Sequence, residues 1–66
     1  MALAKVIEVL AEGSNLEDAV EDAVRQASKT VRNIQNVYVK DWEAIVENNA
    51  VTKYRITAKV TFILEE

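Results

Sequence analysis

The last third of the chain carries the pattern that most restricts its fold. From residue 54 to residue 64, apolar side chains stand at every even position and polar ones at most odd positions. This period of two is typical of a β-strand that buries one face. The even positions hold Tyr54, Ile56, Ala58, Val60, Phe62 and Leu64. Such a strand needs partner strands and a second layer that covers its apolar face.

Residues 15–33 are predicted to form that second layer as a helix. Ser14-Asn15-Leu16-Glu17 has the form of a capping box, in which the Ser14 hydroxyl accepts from the Glu17 N–H while the Glu17 carboxylate reaches back. Apolar residues then recur at spacings of three and four, which is the period of a helix. They are Leu16, Ala19, Val20, Ala23, Val24, Ala27, Val31 and Ile34. Because most are Ala or Val, the helix can lie close to a sheet.

Three strands complete the prediction. Residues 2–11 are rich in β-branched side chains and end at a breaker cluster that contains Gly13. Residues 35–47 and 50–65 read as a hairpin whose turn is Asn48-Asn49, since Asn tolerates left-handed geometry. The predicted fold class is α+β: a β-α-β-β order, with a three-stranded antiparallel sheet in the order 1-3-2 packed on one helix. We expect residues 1–66 to form a single domain.

The hairpin also predicts a register. If Val46 pairs with Val51, even residues of the second strand share a face with odd residues of the third, so that Trp42 lies beside Arg55 on the face away from the helix. We call this the open face. Asn36, Tyr38 and Lys40 then lie there opposite Thr61, Lys59 and Thr57, whereas Val37, Val39, Asp41, Glu43 and Ile45 lie on the core face. A slip of one residue reverses these assignments.

Composition limits the classes of function. A chain of 66 residues has a small core and little stability to spare. With no Cys or His it can form neither disulfides nor a Cys/His zinc site. We therefore expect oligomerisation to supply the missing stability. A net charge of −3 argues against nucleic acid as a partner. No secretory signal or membrane span is recognisable, which makes the cytoplasm the default location. With no catalytic constellation and one Gly, the chain is predicted not to be an enzyme.

Several segments in order resemble the dodecins over nearly the whole chain. They are KVIEVL near the start, the amphipathic helix ending in KTVRNI, and the closing YRITAKVTFILEE. Dodecins are small β-α-β-β proteins that assemble into hollow homododecamers, and most bind flavins (riboflavin, FMN or FAD) in pairs between subunits. The resemblance therefore implies self-association and a flavin cofactor. It is closer to a divergent branch, the calcium dodecins, which bind Ca²⁺ and lack the stacking Trp.

The resemblance also marks candidate ligand-binding residues. In most dodecins a Trp of the second strand stacks on the flavin ring and a Gln of the third strand bonds its polar edge. These positions are Asn36 and Arg55 here, while Asp41 matches an acid that contacts the ribityl chain in some members. Tyr38 and Trp42 complete the candidate set. Trp42 is either a replacement stacking platform or, in the favoured interpretation, a residue that packs at a subunit interface or over Arg55 as a cross-strand cation–π pair.

The acidic residues at the start of the helix allow two interpretations. Glu17, Asp18, Glu21 and Asp22 lie at spacings that place carboxylates on one helical face, as a Ca²⁺ site requires. They equally suit a solvated helix start favoured by the helix dipole, which is the preferred reading; the metal ligands stay unknown. The predicted function is storage or binding of a small molecule or cation between subunits. The alternative is a structural or interaction module without a ligand.

Overall fold

The computed structural model describes residues 2–65 and has four elements. They are strand β1 (Ala2–Gly13), helix α1 (Leu16–Ala27), strand β2 (Ile34–Glu47) and strand β3 (Ala50–Glu65). The sheet is antiparallel with the order β1-β3-β2, which confirms the predicted α+β fold and topology. Within residues 2–65, the helix is too short and too polar to cross a membrane.

The core lies between α1 and the even positions of β3. Three alanines of the helix, Ala19, Ala23 and Ala27, are buried, and they meet a sheet surface formed by Ala11, Ile56, Ala58, Val60 and Phe62. The partly buried side chains of Val9, Val20, Val37 and Val39 pack against the part of this core formed by Ala11, Ala19, Ala23, Ile56 and Ala58. Small side chains on the helix allow the two layers to approach closely, as the sequence predicts.

The helix begins one residue later than the capping-box prediction requires. Asn15 is the N-cap, and its Oδ1 accepts from the backbone N–H of Asp18 at 2.8 Å. Ser14 instead donates its hydroxyl to Asp18 Oδ2 at 2.6 Å. The predicted Ser14–Glu17 box is therefore wrong, because Asn15 caps the Asp18 N–H one position along and the Asp18 carboxylate accepts from the Ser14 hydroxyl and the Asn15 side-chain amide.

The helix also ends earlier than predicted, at Ala27 rather than at residue 33. Ser28 donates its hydroxyl to the Arg25 carbonyl at 2.8 Å, and Thr30 donates to the Ala27 carbonyl at 3.4 Å. The Ser28 bond satisfies the Arg25 carbonyl that Lys29 would use in a longer helix, because the Lys29 N–H donates to the Gln26 carbonyl at 3.3 Å instead. Asn33 then takes a left-handed φ of 60° that turns the chain into β2. The last two members of the predicted apolar stripe thus lie outside the helix.

The hairpin turn is confirmed and the register is confirmed in part. Asn48 and Asn49 both have positive φ, at 52° and 64°, which is the geometry of the tight turns that suit antiparallel strands. Val46 pairs with Val51 as predicted, and at the other end Asn36 and Tyr38 lie opposite Thr61 and Lys59 as predicted.

Between these two ends, the predicted register is wrong by one residue. Irregularities between Val39 and Asp41 and between Ile45 and Val46 shift the intervening pairs, which are Asp41–Thr57, Trp42–Ile56, Glu43–Arg55, Ala44–Tyr54 and Ile45–Lys53. A bulge inserts one residue and reverses the faces that follow it. Trp42 therefore shares the helix side with Ile56, whereas Asp41, Glu43 and Ile45 move to the open face. Lys40, predicted opposite Thr57, falls in the bulge instead.

The sheet is much longer than the helix that covers it. The described chain measures 52 × 18 × 14 Å, while a helix of 12 residues spans about 18 Å. The whole open face and the ends of the helix side are consequently left uncovered. Large apolar side chains exposed there include Leu3, Val6, Leu10, Tyr38, Trp42, Val46 and Val51.

Candidate ligand-binding site

The open face is formed by alternate residues of all three strands. From β1 it receives Val6, Glu8, Leu10 and Glu12; from β3 Arg55, Thr57, Lys59 and Thr61; and from β2 Asn36, Tyr38, Asp41 and Glu43. These positions follow from the pairing, because directly opposed residues of antiparallel strands point to the same side.

A pocket of about 300 Å³ lies on this face at two neighbouring cross-strand rows. One row is Leu10, Thr57 and Asp41, and the other ends in Arg55 and Glu43. Leu10 is 70% exposed, so the pocket presents an apolar side chain that nothing in the described chain covers. Trp42 borders the pocket as well. The pocket combines an apolar surface with a hydroxyl, two carboxylates and a guanidinium, a set that suits a small polar ring system.

Arg55 is held from both neighbouring strands. Its Nε donates to Glu12 Oε2 at 2.7 Å, its Nη2 lies 2.7 Å from the same oxygen as an ion pair, and its Nη1 donates to Glu43 Oε1 at 3.4 Å. The other oxygen of Glu12, Oε1, accepts from Lys53 Nζ at 3.1 Å. The Arg55 hydrogen bond, followed by that of Lys53, lowers the pKa of Glu12, and Glu12 in turn raises the pKa of Arg55. These groups are half-exposed, so the contacts mainly fix the orientation of the guanidinium.

The five candidate residues separate into two groups. Asp41 and Arg55 lie together in the pocket, and Tyr38 and Asn36 lie on the same face in the next two rows along β2. Trp42 has its pairing partner on the helix side instead. Its ring is 6.2 Å from that of Tyr54 at an angle of 46°, next to a cleft lined by Asn15, Leu16 and Glu17. The predicted Trp42–Arg55 cation–π pair is therefore wrong.

Two of the four acids of the helix start have partners of their own. Asp18 takes part in the N-cap, and Asp22 accepts from the Glu12 N–H at 3.4 Å and from Arg25 at 3.0 Å. The bond from the Glu12 N–H, followed by that of Arg25, lowers the pKa of Asp22. Across residues 2–65, no three His, Cys, Asp or Glu side chains come together as a metal site would require.

The sequence interpretation missed Leu10, Glu12, Glu43 and Thr57 as members of the site. A signal for Glu43 was present in β2: the apolar positions are odd at Val37 and Val39 and even at Trp42 and Ala44. Such a change of phase indicates a bulge. The two acids that the unshifted register placed in the core indicated the same irregularity.

Comparisons with known proteins agree on one family. The sequence model of the Dodecin family matches residues 3–65. Among solved structures, an arginine-to-alanine variant of the dodecin from Thermus thermophilus is 28% identical, with a TM-score of 0.90 and full coverage of both chains. The dodecin from Streptomyces coelicolor is 29% identical with a TM-score of 0.89, covering 98% of this chain and 94% of that one. A search of curated proteins gave no match.

Proposed function

Because the chain belongs to the dodecin family, we propose that it is a non-enzymatic, self-assembling protein that holds a small planar ligand on the open face between subunits. Flavin is the ligand proposed first. The observation that carries the proposal is the pocket at Leu10, Asp41, Arg55 and Thr57, where an exposed apolar side chain adjoins oriented hydrogen-bonding groups. The assembly proposed is a homododecamer.

Exposed apolar surface supports the self-association. Leu3, Val6, Leu10, Tyr38 and Val46 each have more than half of their surface exposed in the single chain. A domain of this size buries a modest core, and a second copy is a common way to cover what is left. The long open face offers an area that α1 does not reach.

The polar groups of the pocket support a ring with a polar edge. Arg55 supplies donors, Asp41 and Glu43 supply acceptors, and the Thr57 hydroxyl can do either. Asn36 has no ring, so stacking in this chain would have to come from Tyr38, the aromatic residue that the described open face presents. Tyr38 is 61% exposed and therefore free to contact a ligand or the ligand's neighbour in a stacked pair.

A riboflavin titration with two leucine variants tests the proposal. We expect Leu10→Ala to weaken riboflavin binding by about tenfold, since the loss of a contacting Leu side chain removes roughly 1.5 kcal/mol of apolar burial. Leu3→Ala is the matched control: the same residue type on the same strand, 61% exposed, but on the opposite face. Quenching of flavin fluorescence reports both affinities.

Two results would contradict the ligand site. If the assembled protein neither quenches riboflavin nor shifts its melting temperature with riboflavin or Ca²⁺, the ligand function fails and an architectural role remains. If Leu3→Ala weakens binding as much as Leu10→Ala does, the ligand lies elsewhere. Light scattering checks the assembly: twelve chains of 7.4 kDa give about 89 kDa, and a mass near 7.4 kDa would refute self-association.

A further inference from the structure

We propose that the open-face pocket binds a ligand without a phosphate group more tightly than a phosphate-bearing ligand with the same ring system. This inference rests on the proposed function and concerns the charges that line the site. They are Asp41, Glu43 and Arg55, with Glu12 and Lys53 directly behind Arg55.

The guanidinium of Arg55 is already occupied by carboxylates. Glu12 takes its Nε and Nη2 at 2.7 Å, and Glu43 takes Nη1 at 3.4 Å. Three of its five N–H groups thus have anionic partners within the chain. The remaining two can donate to the carbonyl oxygens of a neutral ring. A phosphate would have to compete with Glu12 or Glu43 for a cation whose charge they compensate.

The other nearby cations have partners too. Lys53 donates to Glu12 at 3.1 Å, and Lys40 is 3.9 Å from Glu8. Around the pocket, three carboxylates (Glu12, Asp41 and Glu43) stand against two cations (Lys53 and Arg55), which leaves one surplus negative charge. Lys59 lies further along β3, opposite Glu8 and Tyr38, and is the cation that a phosphate would use if it bound at this face.

Riboflavin and FMN form the probe pair, because they share the ring and the ribityl chain and differ only in the phosphate. Repulsion between a phosphate and carboxylates a few ångströms away weakens binding severalfold for each charge pair, and by more near a protein surface than in bulk water. We therefore expect FMN to bind about tenfold more weakly than riboflavin at low ionic strength. The difference should shrink in 1 M salt, where such interactions are screened.

Three variants assign the effect to named side chains. Asp41→Asn should bring the FMN and riboflavin dissociation constants closer together by about fivefold, by removing one negative charge at the pocket. Glu47→Gln, at the hairpin end of β2 and bonded by Thr52 at 3.0 Å, should leave their ratio unchanged. Lys59→Gln tests whether a phosphate uses that lysine, and should not weaken FMN specifically.

The outcomes separate this inference from the proposed function. The inference is supported if the protein binds riboflavin more tightly than FMN. The ratio of the FMN to the riboflavin dissociation constant should then fall in Asp41→Asn and stay unchanged in Glu47→Gln. If FMN binds as tightly as riboflavin, or binds more tightly and loses this affinity in Lys59→Gln, the charge selection is wrong although the flavin site remains. Binding of neither flavin overturns the proposed function and the inference together.

Discussion

Gly13, the single glycine of the chain, is where one added methyl group most sharply tests the packing of β1 against α1. A Cβ at this position would lie 2.4 Å from the Ala19 backbone nitrogen, and 2.6 and 2.7 Å from the carbonyl carbon and Cβ of Asp18. These atoms belong to the first turn of the helix and cannot rotate away. Gly13 has no positive φ, so its role is close approach and not an unusual turn.

The size of the effect follows from those distances. An ordinary contact needs about 3.4 Å, so the start of α1 must move by roughly 1 Å, which lifts the fully buried Ala19 away from the sheet. Overpacking of this kind costs about 2–3 kcal/mol, and the lower entropy of an unfolded chain with Ala offsets about 0.4–1 kcal/mol. We expect Gly13→Ala to lose about 2 kcal/mol of stability, a melting temperature roughly 8–16 °C lower for a domain of this size.

Urea unfolding at fixed protein concentration measures this loss, with fluorescence of Trp42 as the signal. Trp42 is suited to the purpose because its ring borders the cleft at Leu16, immediately after the affected turn. Ser14→Ala is the control, since it removes one exposed hydrogen bond in the same turn and should cost less than about 1 kcal/mol. A Gly13→Ala protein as stable as the unmodified chain would refute the described contact between β1 and α1.

Substitutions on the open face, in the ion pairs and in the hairpin turn test other parts of the structure. Asn36→Trp, which places a ring on the open face, should tighten riboflavin binding about 5- to 150-fold, as expected for about 1–3 kcal/mol of stacking; an unchanged affinity in the same titration would count against that face. Because the pKa values of Glu12 and Asp22 are lowered in the folded chain, their contribution to stability is complete at neutral pH and is lost as the pH falls below about 4. Urea midpoints should therefore fall between pH 5 and pH 3, and Glu12→Gln should reduce that fall; an equal acid sensitivity in the variant would contradict the assignment. At Asn49, where φ is 64°, substitution by Ala should cost about 1 kcal/mol and substitution by Gly almost nothing; equal urea midpoints for the two variants would argue against the left-handed turn.

Local patterns were sufficient to predict the architecture. The alternation in β3, the apolar stripe of α1 and the Asn48-Asn49 turn are each read from a few neighbouring residues, and all three appear in the structure. Their order along the chain leaves one simple antiparallel arrangement, with β3 in the middle. The element order and topology could therefore be obtained without coordinates.

The candidate site could be predicted less well, because it depends on register. One inserted residue near Lys40 moves Asp41 and Glu43 to the open face and takes Trp42 to the helix side. A pairing rule anchored at the hairpin turn cannot include such an insertion. The predicted helix end was also wrong, because backbone bonds from Lys29 to Gln26 and from Thr30 to Ala27 tighten the last turn although the apolar spacing continues.

Gel filtration with riboflavin tests whether the assembled protein holds the ligand on its open face. The protein is mixed with excess riboflavin, passed through a column that separates an assembly of about 89 kDa from free flavin, and examined by its visible absorption. We expect riboflavin to elute with the assembled protein, and we expect less riboflavin to co-elute with the Leu10→Ala protein but not with the Leu3→Ala protein. An assembled protein that elutes colourless, with all the riboflavin in the free fraction, would contradict this expectation.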